Sequence, residues 1–148
     1  MIPFVLRAAR IEDAAAFARL SGQLGYPADT ATMSARLAVL LASPAHAALV
    51  VEDGHTLLGW LGVERRLTLE SGEVAEITGL VVDAKARRSG AGAALLGAAE
   101  SWARHHGFDV LRVRSNTLRR ESHPFYEKHG FVRRKSQHVY AKPLHSLE

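Results

Sequence analysis

Glu76-Ile77-Thr78-Gly79-Leu80-Val81-Val82-Asp83-Ala84-Lys85-Ala86-Arg87-Arg88-Ser89-Gly90-Ala91-Gly92 passes from an apolar run through a basic, glycine-spaced turn into an alanine-rich stretch. The pattern predicts a strand, a tight turn and a helix start. A helix start carries unpaired amides and about half a positive charge, so it attracts anions wherever side chains leave the approach open. Gly90 and Gly92 leave it open, and Arg87 and Arg88 add charge-assisted donors suited to phosphate oxygens. These features favour a diphosphate lying across residues 88–93. On this turn alone, glycines that serve only close helix–sheet packing remain an alternative.

Two phosphate motifs fail here. A Walker loop ends in Gly-Lys-Ser/Thr, whereas Gly92 is followed by Ala93-Ala94. A dinucleotide fingerprint requires glycine where Leu95 stands, and it sits in an early β-α unit.

Working outward, Phe4 to Ala9 reads as a first strand, and Ile11-Glu12-Asp13-Ala14 as a helix start whose acidic residues complement the helix dipole. Phe17, Leu20 and Leu24 continue that helix to a stop at Gly25-Tyr26-Pro27. A second helix, Thr30 to Ala42, ends at Ser43-Pro44. From Ala47 the period changes to that of strands: two β-rich runs flank Asp53-Gly54 as a hairpin, and a break at Glu70-Ser71-Gly72 leads into Val74 to Val82. After the central turn, Leu95, Ala99, Trp102 and His106 share one helix face, ended by Gly107. Val110 to Ser115 is then a strand, and the helix between it and Val82 makes a β-α-β crossover, which sets the two strands parallel. A short helix over Glu121–Lys128, closed by Gly130, precedes a last strand, Phe131 to Tyr140. The expected fold is α/β (α+β), in the order β-α-α-β-β-β-α-β-α-β around a mixed, mostly antiparallel sheet.

A chain of 148 residues with 47% hydrophobic content fits a single domain over residues 1–148. With no cysteine, disulfides, thiolate metal sites and a cysteine nucleophile are excluded. No apolar run approaches the roughly 20 residues that span a bilayer, and the first residues lack the order of a signal peptide. A cytoplasmic protein without a membrane partner is expected. Leu147-Glu148 reads as a cloning remnant. The formal charge of +4 gathers at Lys85–Arg88, Arg119–Arg120 and Arg133–Lys135. Such a surplus attracts anions, either nucleic acid or a phosphorylated small molecule, though the second and third clusters read equally well as solvated faces. The eight histidines form no His-x3-His pair and no histidine–carboxylate helix motif, so no metal site is expected.

Arg87-x-x-Gly90-x-Gly92 after an apolar strand resembles the acetyl-CoA signature of the GNAT superfamily of N-acetyltransferases. Asn116 and Phe125-Tyr126-Glu127-Lys128-His129-Gly130-Phe131 look like that family's second motif, and the element order matches its fold over essentially the whole chain. The resemblance implies a parallel strand pair splayed around CoA, with the pantetheine arm on the backbone of Leu80, Val81 and Val82. It places the pyrophosphate on the turn, giving Arg87, Arg88, Ser89, Gly90, Ala91, Gly92 and Ala93 as cofactor-binding residues. Asn116 matches a polar residue that contacts the cofactor, with loop capping as its plain alternative.

Tyr126 matches a tyrosine that meets the CoA sulfur and protonates the leaving thiolate, with a purely packing tyrosine as the alternative. A phenol near 10 does this for a thiol near 8.5 at a cost of roughly 2 kcal/mol. Glu76 matches a general-base or amine-binding glutamate, yet a carboxylate near 4.3 falls about 6 pH units, roughly 8 kcal/mol, short of deprotonating an alkylammonium. Its expected part is therefore to act through water, with a raised pKa, or to hold the amine; an exposed strand glutamate is the alternative.

With acetyl-CoA as cosubstrate and no metal, the amine attacks the thioester directly in a ternary complex, and an amide near Leu80 to Val82 meets the developing oxyanion. Tyr26, with Gln23 and Trp60, is expected at the acceptor pocket. His123 and Arg119 match a small-amine subgroup, although Pro124 departs from its pattern and a capping or packing histidine accounts for His123 as well. The acceptor expected is a small-molecule primary amine, and family habit implies a homodimer. Two other classes compete. A catalytically inactive acyl-CoA-binding regulatory domain conflicts with the presence of both Glu76 and Tyr126. A nucleic-acid module conflicts with the lack of aromatics interleaved among the basic residues.

Overall fold

In the computed structural model, which describes residues 4–115 and 122–145, the strand ahead of the glycine turn is β4, Gly72–Val82. It is one of five: β1 Val5–Ala8, β2 His46–Glu52, β3 Leu57–Thr68, β4 and β5 Leu111–Val113. They lie in the order β1-β2-β3-β4-β5, every neighbouring pair antiparallel except β4 with β5, which is parallel as the crossover requires. The helices are α1 Ala14–Gln23, α2 Thr30–Ala42, α3 Ala91–His105 and α4 Ser122–Lys128, with single 3-10 turns at Ile11–Asp13 and Ala84–Ala86.

Local chemistry sets the boundaries. Asp29 caps α2 by accepting the Thr32 amide at 2.7 Å, and Asp13 accepts the Arg10 amide at 2.7 Å ahead of α1. The Arg7 guanidinium, 2.8 Å from Asp13, holds that carboxyl below the usual carboxylate range. In the β2–β3 hairpin the Asp53 carboxylate takes the amides of His55 and Thr56, so this turn is closed by its own side chain.

The chain forms two compact units, one up to Arg114 and one from Ser115 onward. In the first, α3 packs on β2, β3 and β4 through Leu95, Leu96 and Ala99. Phe17 and Leu20 of α1 and Leu37 of α2 join Ala48, Val50 and Val81 in a cluster against which Trp60 packs. Alternation along β3 sorts the two layers: Gly59 lies against Leu95, while Trp60 stacks on Phe17 with centroids 5.0 Å apart. Trp60, Gly62, Glu64 and Arg66 thus share the α1/α2 side of the sheet.

In the second unit, α4 ends in a turn at Gly130, where the amides of His129 and Phe131 both donate to the Tyr126 carbonyl. The sixth strand expected over 131–140 is not formed among the described residues. Three consecutive cations, Arg133-Arg134-Lys135, break the in–out alternation a strand needs, and Val132, Val139 and Tyr140 bury no apolar face. Among the described residues no helix is long and apolar enough to cross a membrane.

Candidate active site

The parallel pairing of β4 with β5 starts at Ala75/Leu111 and stops at Ile77/Val113. Beyond it Thr78 is an extra residue, since Gly62 faces Gly79 while Val63 faces Ile77. Such a bulge increases twist and bends its strand, so β4 turns out of the ladder with β5 at this point. Leu80, Val81 and Val82 then pair with β3 on one edge and, among the described residues, with no strand on the other. Backbone donors and acceptors on that edge are available to an extended ligand.

The end of β4 is locked in place. Asp83 donates its amide to the Leu58 carbonyl at 2.7 Å, and its buried carboxylate accepts the Lys85 amide at 3.0 Å and Arg19 Nη1 at 2.8 Å. The Lys85 amide first, then Arg19 and Gln23, hold this carboxyl below the usual carboxylate range. Gln23 also accepts the Ala84 amide at 2.9 Å, so the glutamine expected at the acceptor pocket instead ties α1 to the strand end. Asp83 contributes stability that is complete above an ordinary carboxylate pKa of ~3.9 and is lost as pH falls through its lowered folded value. Asp83→Asn should cost about 1–3 kcal/mol at pH 7. In denaturant titrations that gap to wild type should close below about pH 4, and a gap independent of pH would remove Asp83 from this role.

The turn that follows is the one expected to cradle an anion. Arg88 is left-handed at φ 66°, the sole non-glycine with positive φ among the described residues, and Gly90 follows at φ 94° as the N-cap of α3. Backbone held in this region costs of order 1–3 kcal/mol and concentrates at ligand-binding turns. The Ser89 hydroxyl donates to the Ala86 carbonyl and accepts the Ala91 amide at 3.3 Å. Ala94 donates to the Gly90 carbonyl at 3.0 Å as the helix closes, so the amides of Gly92 and Ala93 face out of the helix start. Arg87, Arg88, Ser89 and Gly90 are exposed.

Glu76 stands one rung before the end of the parallel pairing, opposite Arg112. Its side chain is buried, only 5% exposed, and is gripped by three guanidiniums: Arg66 Nη1 donates to Oε2 at 3.0 Å, Arg112 Nε to Oε1 at 2.7 Å, and Arg114 Nε lies 3.4 Å from Oε1. Sequence reasoning missed these partners. The alternation Arg112-Val113-Arg114 puts two of them on one side of β5, a signal readable only once that strand is set beside β4.

The family model described as "Acetyltransferase (GNAT) family" matches residues 12–131. The chain belongs to the GNAT acetyltransferases. It is 27% identical over 117 residues to an uncharacterized N-acetyltransferase, YhdJ, of Bacillus subtilis (strain 168), covering 78% of this chain and 81% of the relative. The aminoglycoside antibiotic 6'-N-acetyltransferase AAC(6')-Ig of Acinetobacter haemolyticus superposes with a TM-score of 0.83 at 20% identity, over 95% of this chain and 99% of that one. AAC(6')-Iy, in complex with the bisubstrate analog CoA-S-monomethyl-acetylneamine, gives 0.84 at 16% identity, over 95% and 99%. As a GNAT enzyme the protein is an acetyl-CoA-dependent acetyltransferase.

Of the remaining GNAT site residues expected, Tyr26 lies between α1 and α2 and is 59% exposed. Tyr126 sits on α4 in the second unit, its ring 5.7 Å from that of Phe131 and 5.4 Å from that of Phe125. His123 lies on the same helix. Asn116 and Arg119 lie outside the described residues. Trp60 is partly buried and packs on Phe17 against the core cluster. Among the described residues no group of three or more His, Asp or Glu is arranged to hold a metal ion.

Proposed function

We propose that this enzyme transfers the acetyl group of acetyl-CoA to a small-molecule primary amine by direct attack in a ternary complex, with residues 1–148 acting as one catalytic domain. The observation that carries the reading is the unpaired edge of Leu80, Val81 and Val82 leading through Asp83 into the exposed, left-handed turn at Arg88–Gly90. An extended thioester arm suits the first and a diphosphate suits the second. Solved relatives named as aminoglycoside acetyltransferases support a small-molecule amine as acceptor.

The amine lone pair attacks the thioester carbon, the C–N bond forms, and an amide of the open β4 edge meets the oxyanion. Collapse breaks the C–S bond, and Tyr126 gives its proton to the leaving thiolate, regaining one from solvent. The attacking amine is the neutral fraction, and its nitrogen, acidified once the C–N bond has formed, then loses its proton to water, so no carboxylate has to deprotonate the alkylammonium itself at a cost of roughly 8 kcal/mol. Glu76 takes part by holding Arg66, Arg112 and Arg114 beside the acceptor. Asn116 contacts CoA and Tyr26 borders the amine. Location in the cytoplasm and a homodimer belong to the same proposal.

Thiol release from acetyl-CoA that requires an added amine tests the activity, and burst release before amine addition would sink the ternary complex. Tyr126→Phe should lower kcat about 10–100-fold with acetyl-CoA affinity within threefold of wild type. Unchanged kcat would remove Tyr126 from the chemistry.

A further inference from the structure

Three guanidiniums converge on the one carboxylate of Glu76, which among the described residues leaves two positive charges in surplus at a half-buried point of the sheet. The neighbouring acid, Glu64, is 2.9 Å from His46 and does not serve the cluster. Arg112 Nη2 is moreover buried and makes no hydrogen bond among the described residues. A buried charged donor left unpaired keeps its desolvation cost without compensation, and such a group in a folded protein calls for a specific explanation. An oxyanion supplied by a ligand would satisfy it and offset the surplus charge.

The position of the cluster says which ligand. Arg66 shares the α1/α2 side of the sheet with Trp60, and Arg112 and Glu76 form the next-to-last rung before the parallel strands part. From Glu76 to Leu80 is four residues of strand, about 13 Å. An arginine stem of three methylenes covers much of that distance. We infer that the acceptor is an amine bearing a terminal acid group, carboxylate or phosphonate, which the guanidinium forks of Arg66, Arg112 and Arg114 hold while its amino group reaches the thioester. Bidentate recognition by arginine suits both acids. A polycationic acceptor would meet like charge at this point, so the aminoglycosides of the solved relatives are poor substrates here. The inference rests on the transferase reading for where the thioester lies.

The test uses the full chain and four probes: γ-aminobutyrate, 3-aminopropylphosphonate, butylamine and kanamycin. In amine-dependent thiol release, one or both acids should exceed butylamine and kanamycin in kcat/KM by at least tenfold, and whichever acid leads identifies the group. Arg66→Gln and the more exposed Arg114→Gln should each lower the acid-to-butylamine ratio of kcat/KM at least tenfold, a ratio that a merely structural loss would leave in place. Butylamine or kanamycin used as well as the acids, or a ratio held in both variants, overturns the inference. Calorimetry on the CoA-loaded protein gives a second readout: saturable heat with an acid, weakened tenfold in both variants, is expected. Absence of saturable heat with either acid overturns the inference. Acid binding with no thiol release from any amine would leave the arginine site standing and remove the transferase reading.

Discussion

Glu76→Ala should lose roughly 3–5 kcal/mol of folding stability, because it strips the shared counter-ion from three arginines in a partly buried setting. For a chain of this size each kcal/mol moves the melting temperature by about 2–4 °C, so a fall on the order of 10 °C is expected in calorimetry. The alternative, a general base at Glu76, expects normal melting and a large fall in kcat. The two readings differ because they assign the carboxylate oxygens differently. A base needs an open path from the amine to a lone pair, whereas this side chain is only 5% exposed and guanidiniums face both oxygens, Arg112 at 2.7 Å from Oε1 and Arg66 at 3.0 Å from Oε2. Glu76→Gln keeps one acceptor oxygen but sets an amide donor against a guanidinium, so it should melt between Ala and wild type. A Glu76→Ala protein that melts within about 2 °C of wild type would remove the anchoring role.

Whatever depends on short-range chemistry was legible in the sequence. The strand, basic turn and helix start from Glu76 to Gly92 follow from residue types a few positions apart, and so does the hairpin closed by the Asp53 side chain. The parallel sense of β4 and β5 follows from the crossover connection, which is signalled by the helix between them. What was hidden depends on register. Glu76 meets Arg66 across 10 positions and Arg112 across 36, and Asp83 meets Arg19 across 64. The first two pairings are set by strand offsets, one of which the bulge at Thr78 shifts by a residue, and the third by how α1 lies on the sheet. The expected strand over 131–140 shows the opposite error: Val132, Val139 and Tyr140 carry β propensity, but propensity without a buried face does not make a strand.

Gly90→Val should weaken acetyl-CoA binding about 100-fold, about 2.8 kcal/mol, with a smaller effect on folding. Gly90 sits at φ 94°, where a β-branched residue is a genuine outlier, so the turn must rebuild to admit one. Space is not the obstacle: an added Cβ would meet the Phe4 ring at 3.6 Å, ordinary contact. The loss arises from the backbone. Rotating residue 90 toward negative φ swings the amides of Gly92 and Ala93 and uncouples the Ser89 cap from Ala91, dismantling the donors that would face the diphosphate. Gly90→Ala separates conformational strain from bulk, since it carries the φ penalty without the branched side chain and should fall between wild type and Val. Gly97, six residues into the exposed side of α3 with open space around its would-be Cβ, supplies the control. Gly97→Ala should raise stability by about 0.5–1 kcal/mol and leave acetyl-CoA affinity alone. Calorimetric titration of the three variants decides the matter: wild-type affinity in Gly90→Val would mean that the helix start does not carry the diphosphate.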